Sequence, residues 1–230
     1  MPSDSAPEKP EKILILGGTK EAGELARDLV SKGRDVTTSL AGRTKEPAPV
    51  EGKLRIGGFG GAEGLAAYLK AEGITRVIDA THPFAKTISA NAVKACELAA
   101  VPLDISTRAP WQKQPGDLWI EVATLEEAAA ALPEKARVLL ALGRQHLDAF
   151  SGRTGCHFVI RMIDPPETPL AFGSYDVITA KPSPDPDEEA ALFREHAITH
   201  IVARNSGGEG AYAKIVAARA MGLPVVMVGR

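Results

Sequence analysis

Cysteine is almost absent from this chain of 230 residues. Only Cys96 and Cys156 occur, far apart and without a Cys-x-x-Cys pair. A zinc site and a disulfide framework both require cysteines at characteristic spacings. The sequence therefore predicts neither a metal site nor a disulfide scaffold, and both thiols are expected to be packing residues.

Long apolar runs and an excess of positive charge are also missing. No apolar run approaches the roughly 20 residues of a membrane helix. The opening MPSDSAPEKPEK is polar and lacks the apolar stretch of a secretion signal. A formal net charge of −2 and a pI near 6.2 argue against broad nucleic-acid binding. We expect a cytoplasmic protein that binds neither membranes nor nucleic acids.

Short apolar runs alternate with amphipathic helical patterns along the chain. Residues 13–16 form a continuous apolar run that ends in Gly17-Gly18, as is typical of a buried parallel strand. Further strands are predicted at 36–40, 54–56, 76–80, 102–105, 119–122, 137–141, 158–163, 176–179, 200–203 and 225–228, and helices at 21–32, 62–72, 85–100, 125–132, 187–196 and 210–221. This alternation predicts an α/β fold with mostly parallel sheets covered by helices on both faces.

An irregular stretch near residues 107–116 (TRAPWQKQPG) interrupts this alternation. We interpret it as the crossing between two Rossmann-like lobes, 12–107 and 108–230, that follow a disordered tail at 1–11. A substrate cleft is expected between the lobes. The polar stretch 181–189 (KPSPDPDEE) is interpreted either as a mobile lid or as a solvated linker.

The first strand-to-helix turn, GGTKEAG, contains Gly17, Gly18 and Gly23. Glycines let a phosphate approach the backbone, and the free N–H groups and dipole of the following helix favour anions. The turn is not a strict GxGxxG, and an ordinary tight turn is the alternative. We predict that residues 12–107 bind a dinucleotide.

The end of the second strand indicates which dinucleotide is bound. NAD-specific folds usually place a carboxylate there for the ribose hydroxyls, whereas this chain reads Ser39-Leu40-Ala41-Gly42-Arg43-Thr44. Arg43, with the hydroxyls of Ser39 and Thr44, is suited to a charge-assisted contact with a 2′-phosphate. NADP is therefore favoured over NAD, and a solvated loop arginine is the alternative.

Two more loops follow strands of this lobe. GGFGG, with Gly58, Phe59 and Gly60, avoids bulk where a nucleotide would cross the strand ends. ATHPF contains Thr81, His82 and Pro83, and we regard His82 as a candidate acid or carboxamide donor. A plain loop and a structural histidine are the respective alternatives.

The second lobe contains a further candidate anion-binding turn, Asn205-Ser206-Gly207-Gly208, directly after Arg204. Other basic residues near strand ends or in loops would suit an acidic substrate if they converged; these are Arg108, Arg144, Arg161 and Lys181. Each is otherwise an ordinary solvated charge. The motifs YxxxK, GxxxxGK[ST], GxSxG and HExxH are absent, so the enzyme classes they mark lose support.

The ordered set ILILGGTKEAGELA, SLAGRT, GGFGG, VIDATHPFA, APW, GRQHL, FVIRMIDPP and NSGG resembles the precorrin-6A reductase family of cobalamin biosynthesis. The resemblance covers about residues 12–230. It implies an enzyme that uses NADPH to saturate one carbon–carbon double bond of the precorrin-6A macrocycle, giving precorrin-6B. The substrate would be a tetrapyrrole-derived ring with many carboxylates, and handover from neighbouring pathway enzymes is expected.

By this resemblance, Gly17, Gly18, Thr19, Ser39, Gly42, Arg43 and Thr44 hold the cofactor. The GGFGG and ATHPF loops line its nicotinamide end, and the NSGG loop faces the macrocycle. The basic residues expected to meet the carboxylates are Lys86, Arg108, Arg144, Arg161, Lys181 and Arg204. Two departures are Lys20, where a small hydroxyl residue is expected, and Arg204, where lysine is expected.

Two alternatives remain open at this stage. The cobalt-precorrin-6A reductase of the anaerobic branch shares the motifs and is expected to use NADH. A protein that senses NADP without turning it over is a candidate from another class, because a fold alone never establishes catalysis.

Overall fold

The computed structural model describes residues 11–42 and 49–230. The chain divides into two compact units, Met1–Thr107 (unit 1) and Arg108–Arg230 (unit 2). The predicted tail over 1–11 lies outside the described residues except for Glu11. The substrate cleft expected from the sequence stays a prediction. Across the described ranges, no helix is both long enough and apolar enough to cross a membrane.

Unit 1 is built on a five-stranded parallel sheet. Its strands follow the order β3-β2-β1-β4-β5. The elements are β1 (Lys12–Leu16), α1 (Lys20–Ser31), β2 (Asp35–Leu40), β3 (Lys53–Ile56), α2 (Gly61–Glu72), β4 (Arg76–Asp79), α3 (Lys86–Ala99) and β5 (Leu103–Ile105).

Unit 2 is built on a six-stranded parallel sheet in the order β6-β11-β10-β7-β8-β9. Its elements are β6 (Trp119–Val122), α4 (Leu125–Ala130), β7 (Arg137–Ala141), β8 (His157–Met162), β9 (Tyr175–Thr179), α5 (Pro186–Glu195), β10 (His200–Arg204), α6 (Ala213–Met221) and β11 (Val225–Val228). Two short 3₁₀ helices, Arg144–His146 and Asp148–Phe150, follow β7. The prediction of an α/β fold with mostly parallel sheets is confirmed.

The central strands of both sheets are buried on both faces, which explains why they are apolar. In β1, Leu14 and Leu16 pack beneath α2 and α3, whereas Ile13 and Ile15 pack beneath α1. Successive side chains of a strand point to opposite faces, so a strand covered on both sides reads as a continuous apolar run. In unit 2, α4 covers one face and α5 with α6 covers the other.

Helix starts mostly follow the capping residues in the sequence. The side chains of Thr19, Thr124 and Asp185 accept backbone N–H groups at the starts of α1, α4 and α5. The helix predicted at 210–221 was wrong at its start, because α6 begins only at Ala213. The Tyr212 amide donates to the Glu209 carbonyl, so the chain forms a turn before the helix.

The topology defines one edge in each unit where a ligand is most easily accommodated. In unit 1 the chain leaves β1 towards β2 on one side and returns as β4 on the other. In unit 2 the corresponding reversal lies between β7 and β10. Open α/β sheets bind ligands at the carboxyl ends of the strands at such switch points.

Candidate functional site

The turn after β1 lies at the switch point of unit 1. A Cβ on Gly17 would come 2.9 Å from Thr38 Cγ2, so glycine lets the chain pass close to β2. Gly18 has φ +109°, a conformation that side-chain-bearing residues rarely adopt. These two positions leave a cradle of bare backbone, which fits a dinucleotide phosphate.

Thr19 caps the start of α1 and links the ends of the two central strands, β1 and β4. Its hydroxyl accepts the Ala22 amide at 3.1 Å and donates to the Ala80 carbonyl, at the end of β4, at 2.9 Å. The hydroxyl therefore fixes the direction of the helix start. The positive end of the helix dipole lies at the same edge as the glycine turn.

The end of β4 is held by a carboxylate that sequence reasoning did not single out. Asp79 is buried, and its Oδ1 accepts the Thr81 amide at 3.0 Å and the Thr81 hydroxyl at 2.6 Å. His82 Nδ1 accepts the Phe84 amide at 3.3 Å. In the neutral ring, this hydrogen bond assigns the proton to Nε2.

The ends of β2 and β3 form the other side of the unit 1 edge. Ser39 is buried, and Gly42 has φ +74° with a Cβ position 3.1 Å from Ile56 Cγ2. Arg43 and Thr44, the residues predicted to contact a 2′-phosphate, lie outside the described residues.

The structure does not bring the two predicted nicotinamide loops together. The 57–61 turn (Gly-Gly-Phe-Gly-Gly), with Gly58, Phe59 and Gly60, follows β3, whereas Thr81, His82 and Pro83 follow β4. Because β2 and β1 lie between β3 and β4, the two loops flank the first glycine turn from opposite sides.

Basic residues gather at the switch point of unit 2. Arg204 ends β10, and its Nη1 contacts His146 Nε2 in the 3₁₀ helix after β7. Arg144 is exposed in the same 3₁₀ helix and donates to the Pro165 carbonyl at 3.2 Å. The β7 and β10 ends therefore place two arginines and a histidine at one edge.

The 205–208 turn (Asn-Ser-Gly-Gly) after β10 is held firmly by Trp111. Asn205 exchanges two hydrogen bonds with the Trp111 backbone, at 2.7 and 2.9 Å. The indole N–H donates to the Gly208 carbonyl at 2.6 Å. Gly207 has φ +66°, and a Cβ there would lie 2.1 Å from the Ala109 carbonyl oxygen, so this position requires glycine.

Arg230 binds the same turn from a third segment. Its guanidinium donates to the carbonyls of Asn205 at 3.0 Å, Ser206 at 2.9 Å and Arg108 at 2.6 Å. Burial lowers the pKa of Arg230 from its ordinary value, an effect that Arg108 strengthens. The turn is thus fixed before any ligand arrives, which lowers the entropic cost of binding.

Arg161 is not at the surface. Its Nη1 donates to Glu189 Oε1 at 2.6 Å, and both side chains are almost fully buried. Lys214 lies in the same interior region and donates to the Ala211 carbonyl at 2.6 Å. Burial, reinforced by Arg161 and opposed by Glu189, lowers the pKa of Lys214 to about 7. The predicted contact between Arg161 and the substrate stays a prediction, although its charge already has a partner.

The remaining predicted cations lie apart from one another. Lys86 is exposed at the start of α3 in unit 1, and Lys181 is exposed after β9. Arg108 is half-buried beside the 205–208 turn, to which Arg230 links its carbonyl. Lys20, the departure in the first turn, pairs with Glu24 at 3.5 Å on the surface of α1.

Sequence reasoning missed several residues at these edges and in the interior of unit 2. Arg55, Asp79, Lys214 and Arg230 were not singled out, and Trp111 appeared only within a motif. Arg55 carried the clearest signal, because it stands one residue before the end of β3 and two before the glycine-rich turn. The partners of Arg230 lie up to 122 positions away and carry no local signal.

Comparison with known proteins agrees with these features. The family described as precorrin-6x reductase CbiJ/CobK matches residues 12–230. "Precorrin-6A reductase" of Rhodobacter capsulatus is 48% identical to this chain, and the match covers 95% of this chain and 88% of the relative. "Precorrin-6A reductase" of a Sinorhizobium species is also 48% identical, and the match covers 98% of this chain and 87% of the relative. A solved structure, "CobK precorrin-6A reductase", has a TM-score of 0.93 at 48% identity, covering 96% of this chain and 88% of that one. The chain therefore belongs to the precorrin-6x reductase family.

Proposed function

We propose that this protein reduces precorrin-6A with NADPH in cobalamin biosynthesis. Its family makes the chain an oxidoreductase that requires a nicotinamide cofactor. The observation that carries the proposal is the Gly17-Gly18 turn, which lies at the switch point of unit 1 and directly before α1. Its backbone carries no side chains there, so the phosphates of a dinucleotide can approach the N–H groups at the helix start.

Unit 1 would hold the cofactor. Gly17, Gly18 and the start of α1 suit its diphosphate, and the β2–β3 edge with Ser39 and Gly42 suits the adenosine ribose. Arg43 and Thr44 remain our candidates for a 2′-phosphate. When bound, the cofactor supplies the hydride, and the protein supplies orientation and electrostatics.

Unit 2 would hold the macrocycle by binding the carboxylates of the ring. Arg144 and Arg204 lie at its switch point, beside the prearranged 205–208 turn. Guanidinium groups form paired, directional hydrogen bonds to carboxylates. This arrangement supports a polycarboxylate ligand.

We propose His82 as the proton donor to the carbon beside the one that receives hydride. Its Nδ1 is used by the Phe84 amide, so the neutral ring has its N–H at Nε2. His82→Ala is expected to slow single-turnover reduction while cofactor affinity is retained. An unchanged rate of hydride transfer would remove His82 from the mechanism.

The first experiment is titration of the wild type and Arg43→Ala with NADPH and NADH. We expect NADPH to bind more tightly and Arg43→Ala to reduce that preference. Consumption of NADPH with precorrin-6A is then followed by the loss of reduced-nicotinamide absorbance. Tight binding without consumption would favour a sensing protein, and preference for NADH with the cobalt-containing ring would favour the anaerobic reaction.

A further inference from the structure

Lys214 is a buried amine next to the proposed substrate edge. It is the second residue of α6, and its side chain is buried. Its Nζ lies 5.3 Å from the centroid of the Trp111 ring, and the indole N–H of that ring donates to the Gly208 carbonyl at 2.6 Å. The same indole therefore lies against the Lys214 amine and holds the 205–208 turn.

The carboxylate nearest to this amine in charge terms is already engaged. Lys214 Nζ donates to the Ala211 carbonyl, which is a neutral acceptor, at 2.6 Å. Glu189 on α5 accepts hydrogen bonds through Oε1, from Arg161 at 2.6 Å and from the Ser183 amide at 2.9 Å. Glu189 Oε2 has no hydrogen-bond partner among the described residues, so Lys214 does not pair with it.

The surroundings of Lys214 disfavour its charged form. The start of a helix is the positive end of its dipole, where a cation is unfavourable. Burial lowers the pKa of Lys214 to about 7, Arg161 on β8 adds to this effect, and Glu189 opposes it. Near neutral pH, the amine is therefore protonated in about half of the molecules.

A negatively charged ligand at the 205–208 turn would change this balance. Charges about 10 Å apart still interact in a protein, and salt screens them less when one of them is buried. Carboxylates bound at the turn would stabilise the protonated amine, and the protonated amine would stabilise the bound carboxylates. The two effects are equal in size, because coupling between two sites is reciprocal.

We propose that Lys214 is a positioning residue of the substrate edge, which takes up a proton from solvent when a polycarboxylate occupies the 205–208 turn and thereby strengthens binding of that ligand. This inference rests on the proposed function and names a residue that regulates affinity for the macrocycle. The charge of Lys214 acts on the ligand through Trp111 and the turn, without contact between the amine and the ligand.

Affinity for the macrocycle should accordingly be highest at low pH. Below pH 7, Lys214 is protonated in the free protein, and binding requires no proton uptake. Above pH 7, binding must also protonate the amine, so affinity falls until the pH exceeds the pKa of Lys214 in the complex. A rise of about one pKa unit on binding corresponds to a loss of about tenfold. The ligand carboxylates stay ionised throughout this range.

The test measures precorrin-6A binding without NADPH by calorimetry, from about pH 6 to about pH 9. Lys214→Gln keeps a hydrogen-bond donor for the Ala211 carbonyl but cannot be protonated, and Lys214→Met also removes the donor. Lys70→Met, on the exposed face of α2, is the matched control. His146→Gln isolates the other titrating group at this edge, because His146 contacts Arg204. All variants are first compared with the wild type by thermal unfolding.

We expect the affinity of the wild type, Lys70→Met and His146→Gln to fall about tenfold across this range. Lys214→Gln and Lys214→Met should show no such fall, and whichever of them folds provides the comparison. Calorimetry in two buffers of different ionisation enthalpy should show uptake of about half a proton per ligand at about pH 7.5 in the wild type. That measurement needs neither Lys214 variant.

A pH dependence that Lys214→Gln retains, or that His146→Gln abolishes, would overturn the proposal. A loss of affinity in Lys214→Gln that is the same at every pH would also overturn it, because it would show a purely structural role. If the wild type bound no precorrin-6A at any pH, the proposed function itself would fail first. Tight binding by the wild type with a flat pH profile and no proton uptake would reject only the coupling to Lys214.

Discussion

Lys214 is a buried amine whose ionisation is costly in the folded protein. Its pKa is lowered from 10.5 to about 7, chiefly by burial and then by Arg161, while Glu189 opposes the shift. The unfolded chain therefore binds more protons than the folded one between these two values. Stability is reduced at low pH and rises as the pH passes from 7 towards 10.5.

Lys214→Met should abolish this part of the pH dependence. We expect the unfolding free energy of the wild type, relative to the variant, to rise by roughly 1 kcal/mol per pH unit above neutral pH. Denaturant unfolding at several pH values measures the difference. Lys70→Met, on the exposed face of α2, is the control and should show no such slope. A wild-type curve parallel to that of Lys214→Met would contradict the prediction.

Arg230 acts on the substrate edge through the backbone. Arg230→Lys keeps the charge but cannot span the three carbonyls of Asn205, Ser206 and Arg108. We expect KM for the macrocycle to rise about tenfold, with a much smaller change in kcat. Arg194→Lys, on the exposed end of α5, is the control. Unchanged steady-state kinetics would show that the turn needs no such support.

At the scale of elements, local sequence determines most boundaries. The predicted strand at 119–122 is observed as Trp119–Val122, and the 137–141 strand as Arg137–Ala141. Thr124, which caps α4, and Gly143 each follow two residues after the end of the strand. The start of α6 and the two 3₁₀ helices were missed because they depend on local turns without caps or periodicity. Edge contacts such as Trp111 with Asn205 join distant segments, so no local pattern predicts them.

The packing of α2 against the 57–61 turn provides a test at this scale. Gly64→Ala should displace the Phe59 carbonyl, because its Cβ would lie 1.8 Å from that oxygen. We expect a less stable protein with weaker NADPH binding, measured by thermal unfolding and titration. Gly23→Ala is the stability control, since a Cβ at that position in α1 meets nothing within 4 Å and alanine favours the helix. Equal effects on stability would contradict this account.

For the whole molecule, attraction to a polycarboxylate must be local rather than global. The chain has a formal net charge of −2, so its overall field does not draw in an anion. The arginines at the strand ends of unit 2 must act over short distances.

Salt should therefore weaken macrocycle binding without affecting the chemical step. Screening lengths shorten from about 10 Å at 0.1 M salt to about 3 Å at 1 M. We expect KM for the macrocycle to rise with ionic strength while single-turnover hydride transfer stays nearly constant. A KM independent of salt would show that the exposed arginines contribute little to recognition.

The hydrogen bond between the Trp111 indole and the Gly208 carbonyl gives the 205–208 turn an optical reporter. The chain has two tryptophans, and Trp119 is the other. In a Trp119→Phe background, all indole fluorescence therefore comes from the ring bound to this turn. A ligand that binds against the turn changes the polarity around that ring, so occupancy of the substrate edge becomes visible as a shift in the emission of a single residue.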